Sequence, residues 1–212
     1  MIPDASTLAV FVAAALALLL VPGPAVLYIV ARSIDQGRAA GLVSVLGVHL
    51  GSLVHIAAAV VGLSSLLVSS AVAFNVVKYL GAAYLIYLGV RALLTRQEPS
   101  EVAVRSAPRR TLLRQGAVVN ILNPKTALFF LAFLPQFVDP DAGAVPLQIA
   151  FLGLVFTALG LVTDGLYALL AGTAGNWLRS SRVYVGARRW VSGTVFIGLG
   201  LATALSGSRQ KS

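Results

Sequence analysis

Lys125 and Asp164 lie deep within long apolar stretches, where water is scarce. Lys125 sits in VVNILNPKTALFF and Asp164 in GLVTDGLYALL. A charge at the centre of a bilayer costs about 2.5–3.5 kcal/mol on insertion scales, so such residues are kept for a partner or a task. Lys125 is about twelve residues from either end of its stretch. At 1.5 Å per residue that is farther than a lysine side chain reaches, so it cannot simply extend to an interface. Its ammonium can meet a substrate carboxylate. Asp164 can hold an amine, or load and release a proton. The two can equally pair with each other, and Lys78 is another possible partner for Asp164. Together they supply the two signs that an amino-acid zwitterion needs.

Backbone groups are the second source of chemistry. Pro22 and Pro24 flank Gly23 inside the first apolar stretch. Proline lacks the amide hydrogen and clashes with the carbonyl four residues earlier, which frees the carbonyls of Leu18 and Leu20. Pro124 does the same to Asn120, and Asn123 stands beside it. Unwound backbone at membrane depth survives where it is buried in protein or lines a wet cavity. The functional reading is a pair of broken helices whose exposed groups bind solute; the structural one is two packing kinks.

The histidines are six residues apart, so His49 and His55 lie on different helix faces and form no i, i+4 metal pair. With no cysteine and one carboxylate within the apolar stretches, no metal site and no cofactor are expected. His55 aligns with Asp164 in the repeat described below and is the better functional candidate; His49 reads as a packing residue, and Gly47 and Gly51 as points of close helix contact. Lys78 lies about seven residues into its stretch, where coupling and snorkelling are evenly matched. No paired nucleophile and base is visible, so an enzyme is not expected.

These residues need a membrane protein to position them. The 212 residues are 58% hydrophobic and 11% charged, with a mean hydropathy of +0.89. A soluble domain carries about 25% charged residues, so lipid must be the solvent. Apolar stretches run over about 6–31, 41–68, 71–94, 113–135, 146–176 and 190–207. Each is long enough for a transmembrane helix and too continuously apolar for a barrel strand. The expected fold is all-α integral membrane, with about six transmembrane helices. No cleavable signal peptide is expected, because only Asp4 precedes the first stretch and that stretch is too long for a signal core.

The net charge of +9 sits between the spans, which indicates topology and anionic lipid as its role, with no nucleic-acid partner. Arg32 and Arg38 fall in the first connection, six arginines between Arg91 and Arg114 in the third, and Arg179, Arg182, Arg188 and Arg189 in the fifth. Twelve of the sixteen basic residues thus occupy alternate loops, which are cytoplasmic by the positive-inside rule and leave the N-terminus outside. Arg209 and Lys211 run against the pattern and keep a five-span arrangement open.

The polar stretch 95–112 divides the chain into 1–94 and 113–212, each with three expected spans. An odd number of spans makes the second half enter the membrane in the opposite sense, the inverted repeat of many secondary transporters. LVPGPAVLYIV lines up with ILNPKTALFFL, GSLVHIAAAVVGL with GLVTDGLYALLAG, and KYLGAAYLIYLG with RWVSGTVFIGLG, in the same order.

Three of these segments resemble the LysE/RhtB family of amino-acid exporters: PGPAVLYIVARSIDQGRAAGL from Pro22, KYLGAAYLIYLG from Lys78 and NILNPKTALFFLAFLPQFV from Asn120. The resemblance covers nearly the whole chain, and the last segment is the most specific. It implies a bacterial cytoplasmic-membrane exporter of amino acids or close analogues, driven by protons, with Pro22, Gly23, Pro24, Asn123, Pro124 and Lys125 at the central site. Many relatives carry an acidic residue where this chain has Ser52, which disfavours a strongly cationic substrate. An exporter of inorganic or metal ions is the nearest rival and a membrane-embedded enzyme the rival of another class. A homo-oligomer is compatible with the sequence.

Overall fold

A computed structural model describes residues 3–69, 71–94 and 107–180, with isolated positions between 194 and 205. Every regular element among the described residues is helical. Helix α1 spans Ala5–Leu19 and begins at an N-cap, Asp4, whose carboxylate accepts from the amides of Ser6 and Thr7, each at 2.9 Å. The Ser6 hydroxyl and then the Thr7 groups hold the Asp4 carboxyl well below the usual carboxylate range. The anion thereby stays at the positive end of the helix dipole.

The chain then unwinds over the prolines, and α2 runs across Pro24–Ser69 with one break inside it, at Gly37 (φ 83°, ψ 173°). That left-handed conformation is open to glycine and costly for other residues. The first connection is therefore a single residue rather than a polar loop. Arg32 is not a solvated loop charge: it lies on α2, buried, with Nη2 donating to Gln115 Oε1 at 2.8 Å and the guanidinium 5.6 Å from the Tyr28 ring centre. A planar guanidinium suits this combined stacking and hydrogen bonding.

Helix α3 covers Ala71–Leu94, matching the third apolar stretch. Helix α4 spans Arg109–Ile121 and starts earlier than the fourth stretch. After Leu122 and Asn123 the chain re-enters as α5, Pro124–Leu128, followed by a π-helical turn at Phe129–Phe133 and a 3-10 turn at Leu134–Phe137. The two arms of this broken helix are bent by 49°. Helix α6 runs across Val145–Ser180. The sixth apolar stretch, with Arg189 and Trp190, falls largely outside the described residues.

Helix α2 is the hub, packing along α4 and α6. Its contact with α4 is made at backbone level: a Cβ on Gly47 would lie 2.4 Å from the Leu113 carbonyl oxygen, and one on Gly51 2.6 Å from that of Ala117. Gly116 answers from α4, where a Cβ would lie 2.8 Å from the Ser44 carbonyl oxygen. The expected role of Gly47 and Gly51 in close helix contact is therefore met. The π-helical turn gathers an aromatic core in which Phe129 stacks on Phe156 at 4.3 Å and touches Phe11 at 5.8 Å. The outward faces of α2 and α6 stay apolar, with Leu46, Leu50, Leu154 and Val162 each about half or more exposed. A protein in water rarely shows so continuous an apolar face, and lipid accounts for it. Two helical stretches, Pro24–Gly62 and Val145–Thr173, are long and apolar enough to cross a membrane, and the bent α4–α5 pair makes a third.

Candidate functional site

The two proline breaks come together. Leu19, Gly23 and Val26 from the first break line a cavity with Asn120, Asn123 and Lys125 from the second, and α2 and α6 add His49, Ser52 and Asp164. The space open to water is about 30 Å³. That is room for about two water molecules and not for an amino acid.

Each carbonyl freed by a proline has found a donor. That of Leu18 accepts from the Val21 amide at 3.1 Å, and that of Leu20 from the Tyr167 hydroxyl at 2.8 Å. The Asn120 carbonyl accepts from the Asn123 amide at 3.0 Å and meets His55 Nε2 at 2.9 Å. His55 thus holds the second break from outside the cavity and stacks on Phe130 at 5.9 Å. The Asn120 side chain ties α4 to α2: its Nδ2 donates to Val48 O and to Ser52 Oγ, both at 2.9 Å, and its Oδ1 accepts from Thr126 Oγ1 at 3.0 Å. Asn123 caps α5 by accepting from the Lys125 amide at 3.1 Å.

Lys125 is buried, and its Nζ donates to the Val21 carbonyl at 2.6 Å, at the C-terminal end of α1. A cation at that end meets the negative pole of the helix and an unpaired carbonyl. Gly23 lets the side chain pass, since a Cβ there would be 3.1 Å from Lys125 Cδ. An ammonium has three N–H groups, so two remain for a ligand. The N-termini of α2 and α5 face the same region. Pro24 has no amide hydrogen, and the amides of Ala25 and Val26, in the first turn of α2, have no acceptor within their own helix.

Asp164 is buried too, and its partner is a histidine rather than Lys125. Its Oδ2 lies 3.1 Å from His49 Nε2, while Asp164 Oδ1 and His49 Nδ1 have no partner among the described residues. The reading of His49 as a packing residue is corrected here: repeat alignment pairs equivalent positions, whereas contact follows helix faces. Val45, Val48, His49, Ser52 and Ile56 are all buried and recur at helical spacing, and His55 falls on the flank of that face. Glycine spacing carried a second signal, because Gly160, one turn before Asp164, has no Cβ where one would meet His49 Cε1 at 2.4 Å. Of the other expected site residues, Pro22 and Pro24 shape the break, Pro124 starts α5, and Lys78 lies on α3 with its side chain outside the described residues. Among the described residues no group of three or more His, Cys, Asp or Glu side chains can hold a metal ion.

The family described as "LysE type translocator" matches residues 16–207. An uncharacterised membrane protein of Pseudomonas aeruginosa is 34% identical over 202 residues, covering 88% of this chain and 90% of the relative. A leucine efflux protein of Enterobacter sp. (strain 638) is 35% identical over 134 residues, covering 62% and 64%. A leucine efflux protein of Klebsiella pneumoniae is 27% identical over 191 residues, covering 89% and 90%. No solved structure matches the chain.

Proposed function

The chain belongs to the LysE type translocator family, and on that premise we propose that it exports neutral amino acids of the leucine kind across a bacterial cytoplasmic membrane, driven by the proton gradient. The observation that carries this reading is a buried cavity holding Lys125 and Asp164 between two proline-broken helices. A zwitterion needs an anion partner and a cation partner at membrane depth. The substrate carboxylate takes the two remaining N–H groups of Lys125 and the free amides at the start of α2; the substrate ammonium takes Asp164. Pro22, Gly23, Pro24, Asn120, Asn123 and Pro124 hold the breaks open to the ligand, and His55 closes the carbonyl that a substrate must not compete for. Lys78, on α3, supplies a further cation for coupling.

The reading of the whole chain is six spans arranged as two inverted three-helix repeats, 1–94 and 113–212, joined by a cytoplasmic linker at 95–112. The repeats rock about the cavity to expose it to each side in turn. The leucine efflux relatives favour a neutral aliphatic substrate, and Ser52 is consistent with it.

Cells preloaded with labelled leucine provide the test. The intact chain is expected to accelerate efflux, collapse of the proton gradient to abolish the acceleration, and Lys125→Ala at matched membrane abundance to reduce it to background. Background efflux from the intact chain for every member of a broad amino-acid panel overturns the reading and makes an inorganic ion the cargo to test.

A further inference from the structure

Asp164, assigned above to the substrate ammonium, is already engaged in this structure: its Oδ2 lies 3.1 Å from His49 Nε2, buried within the protein and facing the cavity. We propose that the His49 imidazolium and the substrate ammonium compete for the Asp164 carboxylate, so that one proton enters on His49 for each amino acid that leaves. This rests on the exporter reading and adds its coupling step.

Three observations support it. Among the described residues Asp164 is engaged through one oxygen: Oδ2 meets His49 Nε2 at 3.1 Å, and Oδ1 is buried without a partner. His49 Nδ1 is likewise buried and unpartnered among them. A neutral ring donating from Nε2 keeps a bare lone pair at Nδ1, which is where a second proton loads. Buried polar atoms rarely stay unpaired without a reason. Finally, the ring has a seat shaped to it, because Gly160 leaves empty the position where a Cβ would lie 2.4 Å from His49 Cε1.

Both cations need the same carboxylate. Among the described residues, the titratable groups facing His49 are Asp164 from α6 and Lys125 from α5; α4 presents the neutral Asn120, and the first turn of α2 presents Ala25 and Val26. Lys125 is committed to the Val21 carbonyl, so Asp164 is the anion left for any further cation. With the substrate carboxylate on Lys125, an imidazolium and a substrate ammonium would be left to share the one Asp164 carboxylate, and two cations at such close range repel. In the inward-facing state the incoming ammonium takes Asp164, and the imidazolium gives its proton to cytoplasmic water. In the outward-facing state the ammonium departs with the solute, and a proton from the outer water loads His49, which re-forms the pair. The cycle moves one zwitterion out and one proton in.

The test is equilibrium binding of labelled leucine to the purified full chain between about pH 5 and 8, the range in which imidazole titrates and leucine does not. Leucine affinity of the native chain is expected to rise with pH, approaching tenfold per unit at the acid end, with close to one proton released per leucine bound in unbuffered solution. His49→Gln is expected to flatten the pH profile, whereas a merely structural role would weaken binding equally at all pH values. Gly160→Ala, whose methyl would crowd the ring at Cε1 and displace it from Asp164, is expected to flatten it partly. The proposal is overturned if the native profile is flat, if no proton is released, or if the slope survives in His49→Gln. Should His49→Gln fail to fold, native proton release and the Gly160→Ala profile decide the question. Failure of the native chain to bind any amino acid overturns the exporter reading itself, and this inference with it.

Discussion

Lys125 reaches Val21 only because position 23 has no side chain. A Cβ there would stand 3.1 Å from Lys125 Cδ and 3.7 Å from Nζ, close enough that the lysine must shift by a few tenths of an ångström for alanine and much more for a branched residue. Gly23→Ala is expected to retain measurable leucine efflux, and Gly23→Val to lose about tenfold or more at unchanged membrane abundance, since misplacing a binding group by about 1 Å costs at least that order. Efflux equal to native for Gly23→Val would show that the Lys125–Val21 contact is dispensable. Ser52 decides a different property. It is buried in the cavity wall and accepts from Asn120 Nδ2 at 2.9 Å. Ser52→Asp keeps that acceptor and adds a second carboxylate beside the solute. Efflux assays with leucine and lysine should therefore show the ratio moving towards lysine; an unchanged ratio would mean that this face does not read substrate charge. Both residues were visible in the sequence, Gly23 through its flanking prolines and Ser52 through the segment it sits in. His49 was not, because a lone histidine on an apolar helix is identified by the face it shares, and that face was apparent only once α4 and α6 were in place.

At the scale of elements, the glycines sort into those that carry contacts and those that do not. Gly51 and Gly116 place backbone against backbone between α2 and α4, with hypothetical Cβ distances of 2.6 Å and 2.8 Å to carbonyl oxygens. A carbonyl in a helix cannot turn aside as a flexible side chain can. Alanine at either site is expected to destabilise the protein by about 1–3 kcal/mol, the usual cost of overpacking. Gly62 on the same helix has nothing within 4 Å of a Cβ, so Gly62→Ala should be neutral or stabilising by up to about 1 kcal/mol through helix propensity alone. Thermal unfolding of the three variants in one detergent separates these outcomes, and equal melting temperatures would refute the close crossing. A similar argument applies where α6 begins. The Gln148 side chain accepts from the Asp139 amide at 2.9 Å and donates to the Asp139 and Gly143 carbonyls, both at 2.8 Å, pinning the turn that carries Gly143 and the left-handed Ala144. Gln148→Leu fits the volume and strips the turn of all three bonds, so proteolysis between 139 and 144 should become faster while the helices stay intact. The breaks at Pro22, Pro24 and Pro124 could be placed from the sequence because proline acts locally. The shortness of the break at Gly37 could not, since Arg32 and Arg38 look like loop charges until Gln115 and Tyr28 are seen to bury the first of them.

For the whole molecule, the distribution of charge makes a claim about sidedness that the chain's composition makes easy to test. There is no cysteine, so a single introduced cysteine is the only thiol in the protein. By the positive-inside rule the stretch 95–112 is expected in the cytoplasm, and the turn between Phe137 and Val145, with Asp139 and Asp141 but no basic residue, outside. Ala142→Cys is expected to react with a membrane-impermeant maleimide added to intact cells, and Ser100→Cys only after the cells are opened. The C-terminal tail discriminates between span counts: Ser208→Cys labels from outside if six spans are present, and from inside if there are five, as Arg209 and Lys211 would prefer. The six-span outcome has a mechanistic consequence, because an odd number of spans in each half is what turns the second half over and lets two proline breaks meet from opposite sides. Labelling of Ser208→Cys only from the cytoplasm would leave the two halves with unequal span counts. The meeting of Lys125 with the end of α1 would then have to arise from packing alone, without an inverted repeat, and a rocking exchange between two equivalent halves would lose its structural basis.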